Sequence, residues 1–182
     1  MPIFARTKLV IQDDCFSYTP GSPYPGISYA TINYEGPNPH KIYPIIKKIV
    51  AQQLQVDERD IQEKEVNWDR SSEVERFSFS IEAVKEFDSF TYMYIKVDVK
   101  GEAKPSKNFE REGKLNIKIE PILRTEYPQD TMWQRSIFYE FFRMLFHKLI
   151  YKDTRLRYLE KCRDLGIRLQ LEIKKFLNTL SE

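Results

Sequence analysis

Glycine is scarce in this chain: there are six in 182 residues, and none falls in a GxGxxG or GxxxxGK-S/T arrangement. Turns that cradle phosphates with backbone amides are built on such glycines, so ATP, GTP and dinucleotide binding are set aside. Histidine is scarcer. His40 and His147 are the only two, and neither has a second ligand three or four residues away in the HExxH manner. Glu140 lies two helical turns before His147, too far to share an ion, so no metal and no cofactor is expected. Ser136 and His147 are three turns apart on one predicted helix, roughly 16 Å, and no GxSxG elbow is present. The chain is therefore not read as an enzyme.

Cysteine is also sparse. Cys15 and Cys162 stand near opposite ends with no CxxC spacing, too few for a secreted disulfide framework. They are read as two ordinary half-buried thiols; a bridge between the ends of the chain is left open. No run of about 18 apolar residues exists, which excludes a membrane-spanning helix. Arg6 and Lys8 interrupt the opening Met1-Pro2-Ile3-Phe4-Ala5 before any long apolar stretch, so no signal peptide is read and a cytoplasmic location is expected. Neither charge sign dominates, the formal net charge being +2, which argues against disorder and against a strong overall pull toward nucleic acid.

What is present is apolar and aromatic: 41% and 14% of residues, enough for the core of one α+β domain over residues 1–182. Strands are expected at Ile3–Gln12 and Ile27–Glu35, separated by the Pro/Gly-rich loop Pro20–Gly26. Asn38 and Pro39 open a helix reaching Gln55, striped by Ile42, Ile45, Ile46, Ile49, Val50 and Leu54. Pro44 either stays within its first turns or delays its start. Period two then takes over, with strands at Ile61–Trp68, Glu75–Val84, Phe90–Lys100 and Gly113–Arg124, an antiparallel meander with Pro121 near an edge or bulge. Residues 131–182 read as helical: one helix capped by Asp130 or Thr131 and running to Tyr151, another capped by Asp153 or Thr154 and running to Leu180, with Leu156, Leu159, Cys162, Leu165, Leu169, Ile173, Phe176 and Leu180 on its stripe.

Two features stand out. Between Ile137 and Tyr151, eleven of fifteen residues are apolar or aromatic. A helix lying on a sheet needs one apolar stripe, not most of its circumference, so something must cover the second side. The last helix, a second copy of the chain and a bound apolar molecule are the candidates. The second feature is charge: residues 141–182 hold ten Lys/Arg against five Asp/Glu, a net of +5, on a body of net −3. Arg155, Arg157, Lys161, Arg163 and Arg168 could meet phosphates. The carboxylates Glu73, Glu75, Glu82, Glu86 and Asp88 cluster around one predicted hairpin and could run acid/base chemistry if buried, but Glu82 and Glu86, alternating with Phe77, Phe79 and Ile81, are read as facing water.

The helix Pro39–Gln55, the antiparallel run Ile61–Arg124 and the helix beginning near Asp130 together resemble the helix-grip fold of the START-like superfamily, which includes polyketide cyclases. That resemblance implies a curved antiparallel sheet gripping a long C-terminal helix over an apolar cavity, here with an additional C-terminal helix. The expected role is a non-catalytic binding protein for an apolar small molecule or a protein partner. Phe79, Ile81, Tyr92, Tyr94, Phe138, Phe142 and Leu145 are its candidate lining. The alternative is an RNA- or ribosome-associated factor docking through the basic arm, with self-association as a homodimer a third expectation.

Overall fold

Alternation of apolar and polar residues carries the middle of the chain into a sheet. In the computed structural model, which describes residues 9–17, 26–127 and 131–180, six strands form one antiparallel sheet. They are β1 (Leu9–Asp14), β2 (Ala30–Pro37), β3 (Gln62–Asp69), β4 (Glu75–Glu86), β5 (Thr91–Pro105) and β6 (Arg111–Tyr127). The last four are the expected meander. β2 and β1 both pair with the far edge of β6, β2 along its first half (Ala30 opposite Ile119) and β1 along its last (Ile11 opposite Thr125). Ile3 to Lys8 and most of the loop Pro20–Gly26 lie outside the described residues.

Pro121 sits where β2 ends and β1 begins. Its carbonyl accepts the Cys15 N–H at 3.2 Å, so the edge of Pro121 that would carry an N–H also faces this seam. There no strand residue requires that donor, which is how a proline is tolerated inside a 17-residue strand. β3 closes the other side of the sheet with an exposed, charged edge (Gln62, Glu63, Lys64, Glu65) and a register shift between Glu63 and Glu65, features that discourage pairing with a further strand.

One face of the sheet is apolar: Phe77, Phe79, Ile81 and Ala83 from β4, Met93, Ile95, Val97 and Val99 from β5, and Leu115, Ile117, Ile119 and Leu123 from β6 are all buried. Two helices cover it. α1 (Tyr43–Leu54) contributes Ile46, Ile49, Val50 and Leu54, and α3 (Lys152–Thr179) contributes Leu159, Leu169, Ile173 and Leu177, all in one cluster with the sheet. Each such side chain stabilises the fold by about 1.5–3 kcal/mol relative to exposure. The fold class is thus α+β, a curved antiparallel sheet gripping a long C-terminal helix. The gripped helix is α3, and the aromatic segment forms the additional one, α2 (Ile137–Leu145).

Local details differ from the sequence reading for identifiable reasons. Asn38 adopts a left-handed conformation (φ 53°), and its side chain accepts the Arg111 N–H rather than capping a helix. A 3-10 turn over Pro39–Ile42 follows, and α1 starts only at Tyr43, with Pro44 in its first turn where a missing N–H costs little. Thr131 and Gln134 exchange reciprocal side-chain and backbone bonds around the 3-10 turn Trp133–Arg135, and Ser136 caps α2 by accepting the Tyr139 N–H. Asp130 lies outside the described residues. α2 passes into α3 through a π turn, Phe146–Ile150, in which the Tyr151 N–H donates to the Phe146 carbonyl at 2.8 Å. The two predicted helices are therefore one bent rod, and neither Asp153 nor Thr154 begins a new one.

Cys15 and Cys162 form a disulfide, with Cα atoms 5.8 Å apart, joining the end of β1 to α3. The reading of two separate thiols is overturned. Spacing 147 residues apart carried no signal of it, because only the grip brings β1 and α3 together. Outside hyperthermophiles, structural disulfides persist mainly in oxidising compartments, so a cytoplasmic location gains no support from the fold. Among the described residues no helix is long and apolar enough to cross a membrane.

Candidate functional site

The aromatic helix is mounted with its polar side inward. Tyr139, Arg143, His147, Tyr151 and Arg155 recur every fourth residue and so share one face of the rod. That face meets the end of the sheet, where the body offers polar groups in return. The Tyr151 hydroxyl donates to Asp88 Oδ2 at 2.7 Å and also bonds Thr91, which lies 3.2 Å from the Thr125 hydroxyl. Tyr127 Oη and His147 Nδ1 are 2.8 Å apart, and the Arg143 guanidinium lies over the Tyr127 ring while bonding Glu140. Arg155 reaches both His147 Nε2, at 2.9 Å, and the Asp13 carboxylate.

Arginine can only donate, so His147 Nε2 accepts and the proton of the neutral ring sits on Nδ1, donated to Tyr127. Burial, and then the Arg155 guanidinium, push the His147 pKa below its ordinary 6.5; Arg143 adds to this and Asp13 opposes it. Burial alone would raise the Asp88 carboxyl, but the Tyr151 hydroxyl and the Phe90 and Thr91 amides outweigh it and hold it below the usual range.

The sign for stability follows from linkage. A histidine whose pKa is lowered on folding binds fewer protons in the native state. Its contribution is therefore complete above 6.5 and is lost as pH falls from there through the native value. His40, lowered mainly by burial, acts in the same direction. Melting temperature should thus fall between about pH 7 and about pH 5, and His147→Gln, which keeps an acceptor for Arg155, should flatten part of that slope. An unchanged slope in the variant would remove His147 from the account.

The outward side of the rod is apolar. Ile137 is 79% exposed, Phe138 66%, Phe142 60%, Leu149 74% and Ile150 71%, whereas Arg143 and Tyr151 are 9% and 7% exposed. Phe141, Met144, Leu145 and Phe146, with Met132 and Trp133 just before the helix, complete the face. At about 150–250 Å² per large side chain, and with each of these at least a third exposed, the face amounts to on the order of 1,000 Å². The largest apolar patch on an ordinary monomer is roughly 300–600 Å². The last helix, the nearest candidate cover, does not reach it, since α3 turns its own stripe to the sheet.

The seven predicted lining residues do not converge. Phe79 and Ile81 lie on the inner face of β4, in the core with α1 and α3. The register pairs Phe79 with Val99 and Ile81 with Val97, so Tyr92 and Tyr94 of β5 necessarily point to the opposite face. There Tyr92 bonds Glu126, and Tyr94 lies under the Arg124 guanidinium at 4.4 Å. Only Phe138, Phe142 and Leu145 share a surface. The seven residues thus line no common enclosed site, and the outward surface that holds three of them also carries Trp133, Ile137, Phe141, Leu149 and Ile150, which reasoning from the sequence did not name as lining. The signal was available in the polar residues recurring at every fourth position.

The five basic residues also divide. Arg155 is engaged with Asp13 and His147, and Arg163 pairs with Asp164. Arg157, Lys161 and Arg168 are exposed on a side of α3 that also carries Asp164. The carboxylates of the β4 region scatter: Glu75 is buried against Arg111 at 2.9 Å, Glu82 faces Lys64, and Asp88 binds Tyr151. A separate hollow of about 800 Å³ opens on the polar face of the sheet, lined by Asn67, Arg76, Ser78, Lys100, Lys114 and Asn116 among others. Among the described residues no three His, Cys, Asp or Glu side chains gather as a metal site would require. No protein-family model matches the chain, and a search of curated proteins finds no relative.

Proposed function

We propose that this is a non-catalytic binding protein that engages an apolar partner through the outward face of α2 and the π turn after it, rather than through a cavity under the sheet. One observation carries the reading: the residues from Trp133 to Ile150 turn their apolar side to solvent while their polar side is bonded to the body. Rolling the helix over would not relieve this exposure. The surface beneath it is made of Asp13, Asp88, Thr91, Thr125 and Tyr127, so burying phenylalanines there would strip partners from polar groups at about 1–3 kcal/mol each. Both sides of the contact match the orientation adopted. Kinship with the START-like superfamily is proposed at the level of sheet-and-helix architecture only.

Phe142→Ser/Leu149→Ser provides the test. Both side chains are exposed, so the melting temperature should stay within the small range usual for surface substitutions. The native protein should bind an anilinonaphthalene dye and shift its tryptophan emission, from Trp68 and Trp133 together, to the blue in nonionic detergent micelles. The double variant should do neither to the same extent. Equal, weak responses from both proteins would end the proposal.

A further inference from the structure

We infer that the partner of this apolar face is the surface of an anionic lipid bilayer, on which the protein lies without crossing it. The inference rests on the binding role proposed for the same face and names its occupant.

Three observations select a bilayer. The first is charge. Between residues 131 and 157 the exposed ionisable side chains are Arg135, Lys148, Lys152 and Arg157 against a single exposed acid, Asp153. Lys148 stands among the exposed apolar residues of the π turn and Lys152 one turn further on. A two-fold pairing of this face with itself would set the same basic groups against one another, whereas anionic headgroups pair with them.

The second is what the face does not offer. Protein interfaces carry about one hydrogen bond per 100–200 Å², so a face of this size would need several donors and acceptors. The outward side chains are Ile, Phe, Met and Leu; Trp133 at one end and Lys148 toward the other supply its polar groups. On the inward side His147 and Tyr151 are bonded to the body, and Arg143 lies against the Tyr127 ring while bonding Glu140. Hydrocarbon asks for no hydrogen bonds, and a helix satisfies its own backbone within it.

The third is the arrangement along the rod. α2 and the π turn together span Ile137–Ile150, too short to cross a bilayer and suited to lying in its plane. An apolar face inserts about 5–10 Å in that geometry. A tryptophan at one end and lysines at the other place headgroup-seeking side chains at the margins. Because the polar side is bonded to Asp13, Asp88 and Tyr127, the helix is already formed and oriented before it meets lipid, and binding need not order it.

The test uses the full chain with its disulfide intact. Co-sedimentation and tryptophan emission are followed with vesicles of phosphatidylcholine, and with phosphatidylcholine containing about 30% phosphatidylglycerol. Binding should be at least about tenfold tighter to the anionic vesicles and should weaken as salt is raised. Lys148→Gln/Lys152→Gln should weaken it about 30-fold at low salt, each lysine being worth about fivefold. Phe142→Ser/Leu149→Ser should weaken it about 100-fold or more. Absence of vesicle binding by the native protein overturns the inference, and sedimentation then identifies what fails. A dimer dissociated by the Phe142/Leu149 pair leaves the binding face standing with a second copy as its occupant. A monomer that also ignores dye and detergent removes both proposals. Vesicle binding that the Phe142/Leu149 pair leaves unchanged would place the lipid contact elsewhere and overturn the inference as well.

Discussion

Replacing both cysteines, as Cys15→Ala/Cys162→Ala, should lower the melting temperature by on the order of 10–20 °C. The bridge closes a loop of 147 residues, nearly the whole chain. In the chain-entropy account a loop of that length restricts the unfolded ensemble by about 5 kcal/mol, and for a protein of this size each kcal/mol moves the midpoint by about 2–4 °C. The cross-link also holds a particular junction. Cys15 lies at the seam between β1 and β2, where its N–H bonds Pro121. Cys162 lies one turn before Gly166, whose bare Cα lets Phe16 and Pro121 approach α3. A Cβ at Gly166 would stand 2.9 Å from the Phe16 ring and 3.1 Å from the Pro121 ring. Thermal unfolding with and without reductant measures the effect on native protein. Alkylation of protein unfolded without reductant gives the covalent state directly. Labelling of both thiols, with a midpoint indifferent to reductant, would exclude the bond and its share of the stability.

Gly113→Ala is expected to cost about 3 kcal/mol or more, far beyond the few tenths usual for an exposed strand position. Gly113 pairs with Gly36 on β2 and with Ala103 on β5, at a point where the neighbouring backbone comes unusually close. A Cβ there would stand 1.9 Å from the Glu102 carbonyl oxygen and 2.9 Å from the Ala103 Cα. These are backbone atoms held in a ladder, so relief requires parting β5 from β6 rather than turning a side chain. Denaturant unfolding of Gly113→Ala beside Lys114→Ala, its exposed neighbour, separates the two cases. Similar midpoints for both variants would show that the sheet accommodates the methyl group. Gly101, over which the Phe77 ring lies, belongs to the same end of the sheet.

Much of the architecture was legible from residue order. Period two over Phe77–Ala83 and Leu115–Leu123 specified which side of those two strands is apolar, and Phe77, Phe79, Ile81, Ala83, Leu115, Ile117, Ile119 and Leu123 are buried. The predicted stripe likewise marked the inner face of α3: Leu159, Cys162, Leu169 and Ile173 are buried and Leu165, Phe176 and Leu180 pack against the core, whereas Leu156 stays 39% exposed. Such patterns are local, and a strand or helix with one apolar side has one way to face a core. The excess of apolar residues between Ile137 and Tyr151 was equally visible, and so was the conclusion that a single sheet face could not satisfy it.

Periodicity does not state which of two faces turns inward when both have a claim. On β5, tyrosines alternate with Met93 and Ile95, and only the register with β4 decides that Tyr92 and Tyr94 point away from the core. On α2 the same choice is decided by the surface it meets. Asp13, Asp88, Thr91 and Tyr127 come from three separate strands and a turn, and together they make a polar seat that draws in Arg143, His147 and Tyr151. The aromatic side is left outside for want of an apolar seat. Composition settled that this segment would be a problem of burial. Where its polar partners lie in space settled that this aromatic side is left exposed among the described residues.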